Sequence, residues 1–418
     1  MVRLTSVLVL LSSIPLILSA STSSASSGPA PPISTQIPRP TGPERYIGTT
    51  SITLTDPSRP EQFGIGNRRV VVQAYYPISQ PRSGSKIEPY LSPLIGGLLS
   101  AQYGLPNGTL NTFRTNSYYE RSPGPKFRGM YPIIFSTGMS VPRHIYTTMY
   151  EELASYGYCV FSVDHPYDAA AVEFSDGTVA YSRVPTNLTD EITEKFFQIR
   201  IKDVRFVADQ LENFRRSKLM RLDQIGAFGH SLGGASAAGA MIGRTRIKAG
   251  INMDGGIWGE VGKSDVSGSF LLMGTPDHNS TVDTTWKSWR NTQDGWNKEM
   301  TVKGAKHGLF SDYPTIVDML GFREVPGIEE LVGTMKGDRA RKLLSAYIRD
   351  FFGWSLKGDK LKLINKKNGQ YPEVEYVERA GEKSEVEAQD SEAEQVESEY
   401  TESDAGANFG GVIWKLRA

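Results

Sequence analysis

The run Gly229-His230-Ser231-Leu232-Gly233 constrains this chain more than any other segment. It has the form G-x-S-x-G, and its flanks are of two different kinds. Gln224-Ile225-Gly226-Ala227-Phe228 before it reads as a short apolar strand. Gly234-Ala235-Ser236-Ala237-Ala238-Gly239-Ala240-Met241 after it is small, apolar and able to form a helix. A serine on so sharp a strand-to-helix turn projects its Oγ at the carboxyl end of a parallel sheet, and the flanking glycines let backbone pass closely on both sides. The first N–H groups of the helix then face the spot where an oxyanion would form. The competing reading is a glycine-rich turn that carries an inert serine.

The surrounding pattern fits such a turn. Tyr131-Pro132-Ile133-Ile134-Phe135-Ser136, Val160-Phe161-Ser162-Val163, Ala249-Gly250-Ile251-Asn252-Met253 and Ser269-Phe270-Leu271-Leu272-Met273 are apolar strands, and Met300-Thr301-Val302 is another. Helical stretches run over 146–155 and 199–214, and a last one over 338–352 carries Leu343, Leu344, Tyr347, Ile348 and Phe351 at core-facing spacing. Apolar strands alternating with helices indicate an α/β protein whose mostly parallel sheet is covered on both faces. Ser51–Leu54 and Arg69–Tyr76 read as antiparallel N-terminal edge strands.

The two ends differ from this middle. Residues 1–20 begin Met1-Val2-Arg3 and continue as an apolar run to Leu18, the form of a secretory signal peptide. Residues 21–45 are Ser/Pro-rich and read as a linker, which leaves 46–366 for the catalytic domain. Between Glu373 and Asp404 there are 13 acidic and 2 basic residues, so 367–418 reads as an acidic disordered tail. The sequons at Asn107, Asn187 and Asn279 fit an extracellular address with glycosylation. One cysteine, Cys159, excludes an intramolecular disulfide and reads as a core residue. The formal net charge is zero, so the chain outside that acidic segment carries about +11, which suits an anionic lipid surface; no nucleic-acid partner is expected.

A serine nucleophile needs a base, and the base needs a carboxylate to orient it. There are five histidines. His307, in Gly304-Ala305-Lys306-His307-Gly308, follows the last expected strand and gives the chain order serine, acid, histidine. His230 lies inside the turn, and His144, His165 and His278 occupy other loops. Two carboxylates suit the acid: Asp254 ends the strand after the nucleophile helix, and Asp277 ends the next one. Chain order does not separate them. The oxyanion hole requires two backbone N–H donors, expected from Leu232 and from Met139 in Thr137-Gly138-Met139-Ser140. No spacing for metal ligands is evident, and the chemistry needs no cofactor.

Together these segments resemble the α/β-hydrolase family of secreted platelet-activating-factor acetylhydrolases and their bacterial and fungal lipase and esterase relatives. The resemblance runs from about Tyr46 to Phe352 and is carried by Ile134–Gly138, Gly229–Ala235, Gly250–Gly255, Phe270–Gly274 and Gly304–His307. It implies Ser231, Asp254 and His307 as the triad, with Met139 and Leu232 as oxyanion donors. The family places its acid on the strand directly after the nucleophile, and Asp254 follows Ser231 by 23 residues. A cutinase-like or polyester-hydrolase arrangement would use Asp277 instead, 46 residues after Ser231. Thr137 stands where the family often has a histidine.

The implied activity is a secreted serine esterase that cleaves short-chain acyl esters of phospholipids through an acyl-enzyme. A catalytically silent scaffold acting as a binding protein is the non-enzyme alternative. The esterase's partners would be a phospholipid or other acyl-ester substrate and a lipid surface; the sequence does not reveal an oligomeric state. Leu91, Leu94, Ile95, Leu98 and Leu99 form one apolar helical face ahead of the oxyanion strand. That face reads either as packing on the core or as a lipid-facing lid.

Overall fold

The computed structural model describes residues 35–379, apart from 120–122, 125–126, 215 and 365. The expected signal peptide, most of the linker and the acidic segment from 380 onward lie outside the described residues. In chain order the strands are β1 (Ile47–Pro60), β2 (Asn67–Pro77), β3 (Ile87–Pro89), β4 (Arg114–Tyr119), β5 (Tyr131–Ser136), β6 (Tyr158–Asp164), β7 (Ala171–Glu173), β8 (Val179–Tyr181), β9 (Ile225–His230), β10 (Ile247–Met253), β11 (Ser269–Gly274), β12 (Asn297–Val302) and β13 (Val374–Tyr376). The helices are α1 (Pro93–Gln102), α2 (Thr147–Ser155), α3 (Asp190–Gln210), α4 (Leu232–Ala240), α5 (Thr284–Asn291), α6 (Tyr313–Leu320), α7 (Ile328–Val332) and α8 (Gly337–Phe352).

The central sheet has the order β13-β12-β11-β10-β9-β5-β6-β2-β1-β4-β3, with β7 and β8 paired separately. The run from β12 to β6 is parallel throughout. Alternate side chains of these strands enter two cores. Ile133 and Phe135 of β5 pack with α2, α6 and α8 on one face, whereas Ile134 packs with α3, α4 and α5 on the other. Strands β5 and β9 are neighbours in register from Ile133↔Gly226 to Ser136↔Gly229, yet β5 continues toward β6 and β9 toward β10. Connections therefore leave in opposite directions at this pair, and the crevice beyond the carboxyl ends of such strands is where α/β sheets bind ligands.

Several sequence expectations change in the folded chain. Helix α3 starts at Asp190, well before 199, because Thr189 caps it with Oγ1 accepting the Ile192 N–H at 3.2 Å. Asp190 and Glu191 then sit favourably in the first turn against the helix dipole. Strands β1 and β2 pair antiparallel as expected, but they are interior, since β4 and β3 lie outside them. Of the apolar stripe around α1, Leu91, Ile95 and Leu99 are buried in the core, and Leu94 and Leu98 are partly buried against it. The stripe is packing surface, which corrects the lipid-facing reading. The Asn279 sequon is corrected too. That side chain is buried, with its amide donating to Thr275 O and Pro276 O and its oxygen accepting from Thr281. Asn107 and Asn187 are exposed. Cys159 is buried, as expected, and burial pushes its thiol pKa up.

The catalytic domain also extends past its expected end at 366. The compact unit reaches Val377, and β13 adds an antiparallel edge to β12 from Met300↔Tyr376 to Val302↔Val374. Tyr371 and Val374 are buried, and Glu373, counted in the sequence as part of the acidic run, pairs with Arg339 at 2.8 Å. Truncation after Lys367 should therefore destabilise the protein. Losing the burial of two such side chains costs about 3–6 kcal/mol, which is several degrees in Tm for a domain of this size. An unchanged melting temperature would show that β13 contributes nothing to the unit.

Candidate active site

Ser231 follows β9 directly and caps α4 with φ 57° and ψ −132°, a conformation a non-glycine residue adopts only under constraint. Its N–H donates to Met253 O at 2.8 Å, which ties the turn to the end of β10. Glycine is required on both sides. A Cβ at Gly233 would lie 2.1 Å from Ser136 O, and one at Gly229 would lie 2.5 Å from the same atom. The end of β5 thus presses on the serine turn and delivers residues 137–140 beside it.

Those residues are held from below. Arg200 of α3 donates through Nη1 to Thr137 O at 2.5 Å and through Nη2 to Gly138 O at 3.1 Å. It is paired with Asp168 at 2.7 Å, and Asp168 accepts the Ser140 N–H at 2.9 Å. The Gly138 N–H donates to Tyr146 Oη at 2.9 Å, and Val141 N–H donates to Gly138 O. The N–H of Met139 is left without a partner among the described residues. The N–H of Leu232 opens α4, so it has no carbonyl one turn back inside the helix. The Leu232 N–H, directly after Ser231, and the Met139 N–H, on the turn that β5 delivers, are the donors an oxyanion hole would use.

Asp254 ends β10 with φ 59° and is buried. Its Oδ2 accepts His307 Nδ1 at 2.6 Å, and its Oδ1 accepts His278 Nδ1 at 3.0 Å. Burial pushes the carboxyl pKa up, but the His278 charge and hydrogen bonds from both rings outweigh it and hold the group below the usual range. With the proton on Nδ1, His307 keeps the Nε2 lone pair for chemistry. The His307 ring packs on His230, with centroids 4.4 Å apart. Burial, followed by the neighbouring His307, holds His230 neutral, and its Nδ1 lies 3.0 Å from Tyr146 Oη. Asp277 is elsewhere: its side chain is 67% exposed and pairs with Lys306 at 2.6 Å. The carboxylate that reaches His307 is Asp254, which corrects the alternative acid.

A second Ser-His-Asp set lies beneath the site. Ser136 Oγ is 2.9 Å from His165 Nε2, and His165 Nδ1 is 2.8 Å from Asp203 Oδ2. All three are sealed in the core, and Arg68 and Arg59 pair with Asp203. No substrate can reach this set, so it braces the end of β5. Neither it nor Arg200, Asp168, Tyr146 and His278 was assigned a role from sequence. Their partners are remote in the chain, and no local pattern marks them. Among the described residues, no group of three or more His, Cys, Asp or Glu is arranged to hold a metal ion.

A parallel sheet covered on both faces, with a G-x-S-x-G turn at its switch point, defines an α/β hydrolase. Residues 105–209 and 201–323 match the family described as platelet-activating factor acetylhydrolase, isoform II, and the chain belongs to that family. It is 29% identical over 379 residues to a probable 1-alkyl-2-acetylglycerophosphocholine esterase of Arthroderma benhamiae, covering 83% of this chain and 95% of that one. The solved ferulic acid esterase of Streptomyces cinnamoneus is 30% identical with a TM-score of 0.70, covering 82% of this chain and 99% of that one. The protein is a carboxylic ester hydrolase.

The two aspartates give a direct test. Asp254→Asn should lower kcat by about three to four orders of magnitude, because the amide cannot stabilise an imidazolium and favours the wrong tautomer. Asp277→Asn should stay within about threefold of wild type, since it removes only an exposed ion pair. The reverse ranking, in proteins shown to be folded, would return the acid to Asp277.

Proposed function

We propose that the protein is a secreted serine esterase that removes short acyl chains from phospholipids through an acyl-enzyme. Ser231 Oγ attacks the ester carbonyl carbon while His307 Nε2 takes its proton. The oxyanion is met by the N–H groups of Leu232 and Met139. Collapse of the tetrahedral intermediate expels the alcohol, here a lysophospholipid, which leaves with the proton from His307. Water, deprotonated by the same nitrogen, then releases the acid and restores Ser231. Asp254 keeps the Nδ1 proton in place and stabilises the imidazolium. The observation that carries this mechanism is the 2.6 Å bond between Asp254 and His307 beside a strained serine turn.

The substrate class is supported by the Arthroderma relative, whose name specifies a 2-acetyl glycerophosphocholine and whose length is almost wholly matched. Secretion is supported by the signal-like residues 1–20 and by two exposed sequons, at Asn107 and Asn187. Hydrolysis of hydroxycinnamate esters is a second reading, favoured by the Streptomyces esterase.

Hydrolysis rates on an sn-2 acetyl glycerophosphocholine, on sn-2 esters of increasing length and on methyl ferulate separate these readings. The acetyl phospholipid should give the highest kcat/KM, falling as the acyl chain grows. A preference for methyl ferulate would replace the phospholipid assignment with the second reading. Ser231→Ala should lose fluorophosphonate labelling and at least about a thousandfold in turnover while keeping its fold. Activity within about tenfold of wild type would refute the nucleophile.

A further inference from the structure

His278 has no part in the mechanism above, yet it is built into the site. It closes a tight turn after β11, where Thr275 and His278 exchange backbone hydrogen bonds of 3.1 Å. Its Nδ1 lies 3.0 Å from Asp254 Oδ1 and its Nε2 lies 2.9 Å from Asp283 Oδ2. The ring packs on Trp286 with centroids 4.6 Å apart, and the Trp286 indole N–H is fixed on Gly255 O at 2.7 Å. Asp283 is fixed as well, because its Oδ1 accepts the Thr285 N–H at the start of α5.

The chemistry of these atoms decides the protonation of the ring. An ionised carboxylate only accepts hydrogen bonds, and a neutral imidazole has one N–H and one lone pair. Between two carboxylates, a neutral ring would set its lone pair against an anionic oxygen. The imidazolium donates on both sides. From this geometry we infer that His278 is a standing cation and a positioning residue: it holds Oδ1 of Asp254 so that Oδ2 stays on His307. The inference rests on His307 being the base of the proposed mechanism. The His278 pKa moves in the same sense: burial lowers it, but Asp254 and Asp283 overcome this and raise it to about 10.

The other charged groups near this pair are engaged elsewhere. His307 meets Asp254 from the end of β10 and the neutral His230 ring from the end of β9. On its own loop, Lys306 is directed to Asp277 and, at 3.8 Å, to Glu330. His278 is therefore the cation hydrogen-bonded to the Asp254 carboxylate opposite His307.

His278→Gln keeps an amide donor toward Asp254 but removes the charge, and it should lower kcat while abolishing a ring that is doubly protonated in wild type. A purely structural role for a neutral His278 would lower kcat with no such ring present in wild type.

Folding linkage gives a second readout. A pKa raised by folding contributes stability that is complete below the ordinary histidine value of about 6.5 and is lost as pH rises through the folded value. The Tm difference between wild type and His278→Gln should accordingly shrink toward pH 10.

The decisive measurement reads the rings directly. In full-length protein labelled with 15N-histidine, one ring should remain doubly protonated about two units above the ordinary histidine pKa. Burial holds His144, His165 and His230 neutral, and loss of the persistent cation in His278→Gln assigns it to His278 and not to His307. Absence of such a ring, or its persistence in His278→Gln, overturns the inference. The NMR outcome does not depend on Ser231 chemistry, so failure of the esterase mechanism would be seen separately.

Discussion

The close approach of the serine turn to the end of β5 is the constraint on which the rest of the site depends. Ser136 O sits where side chains on Gly229 and Gly233 would be, so the two strands meet with no side chain between them. That contact places residues 137–140 beside Ser231. The strained Ser231 backbone costs about 1–3 kcal/mol. It persists because its N–H is spent on Met253 O and because α4, apolar and buried along its whole length, cannot back away. The small side chains of α4 are thus a geometric requirement of the turn.

Beneath this contact lies a layer of buried charge. Arg200 and Asp168 grip the oxyanion turn, and His165, Asp203 and Arg68 grip the strand that leads into it. Burying such groups unpaired would cost several kcal/mol each. Here each cation meets a carboxylate and the remaining donors reach backbone carbonyls, as with Arg200 on Thr137 and Gly138. Their value is preorganisation: donors aimed before substrate arrives need no rearrangement as charge develops.

Asp254 joins the two halves of the site. One oxygen serves His307, whose loop follows β12, and the other serves His278, whose turn follows β11. A carboxylate with both oxygens committed cannot rotate, which makes it a fixed reference for the imidazole. The geometry also explains the polar character of the 275–283 turn. Asp277 is drawn outward to Lys306, Asn279 is consumed by the backbone of its own turn, and Asp283 closes the far side of His278.

The sequence by itself determined the serine turn, the apolar strands flanking it and the covered parallel sheet. These depend on backbone sterics at glycine and on hydrophobic periodicity, and both act over a few residues. His307 was legible because chain order restricts where a base can come from. The choice between Asp254 and Asp277 was not legible from order alone, since both end neighbouring parallel strands; the family resemblance favoured the carboxylate that the fold brings to His307. The Leu91–Leu99 stripe showed an apolar face without showing what covers it, and the Asn279 sequon showed a motif without its burial. The edge strand at 374–376 was hidden in an acidic run because its three residues are too few to show a period. Only the tertiary structure decided that Arg200 and Asp168 hold the oxyanion turn and that His278 shares the carboxylate of Asp254. Such contacts depend on which strands become neighbours in the sheet, and that order is set by global packing of both faces, with no trace in the local spacing of residues.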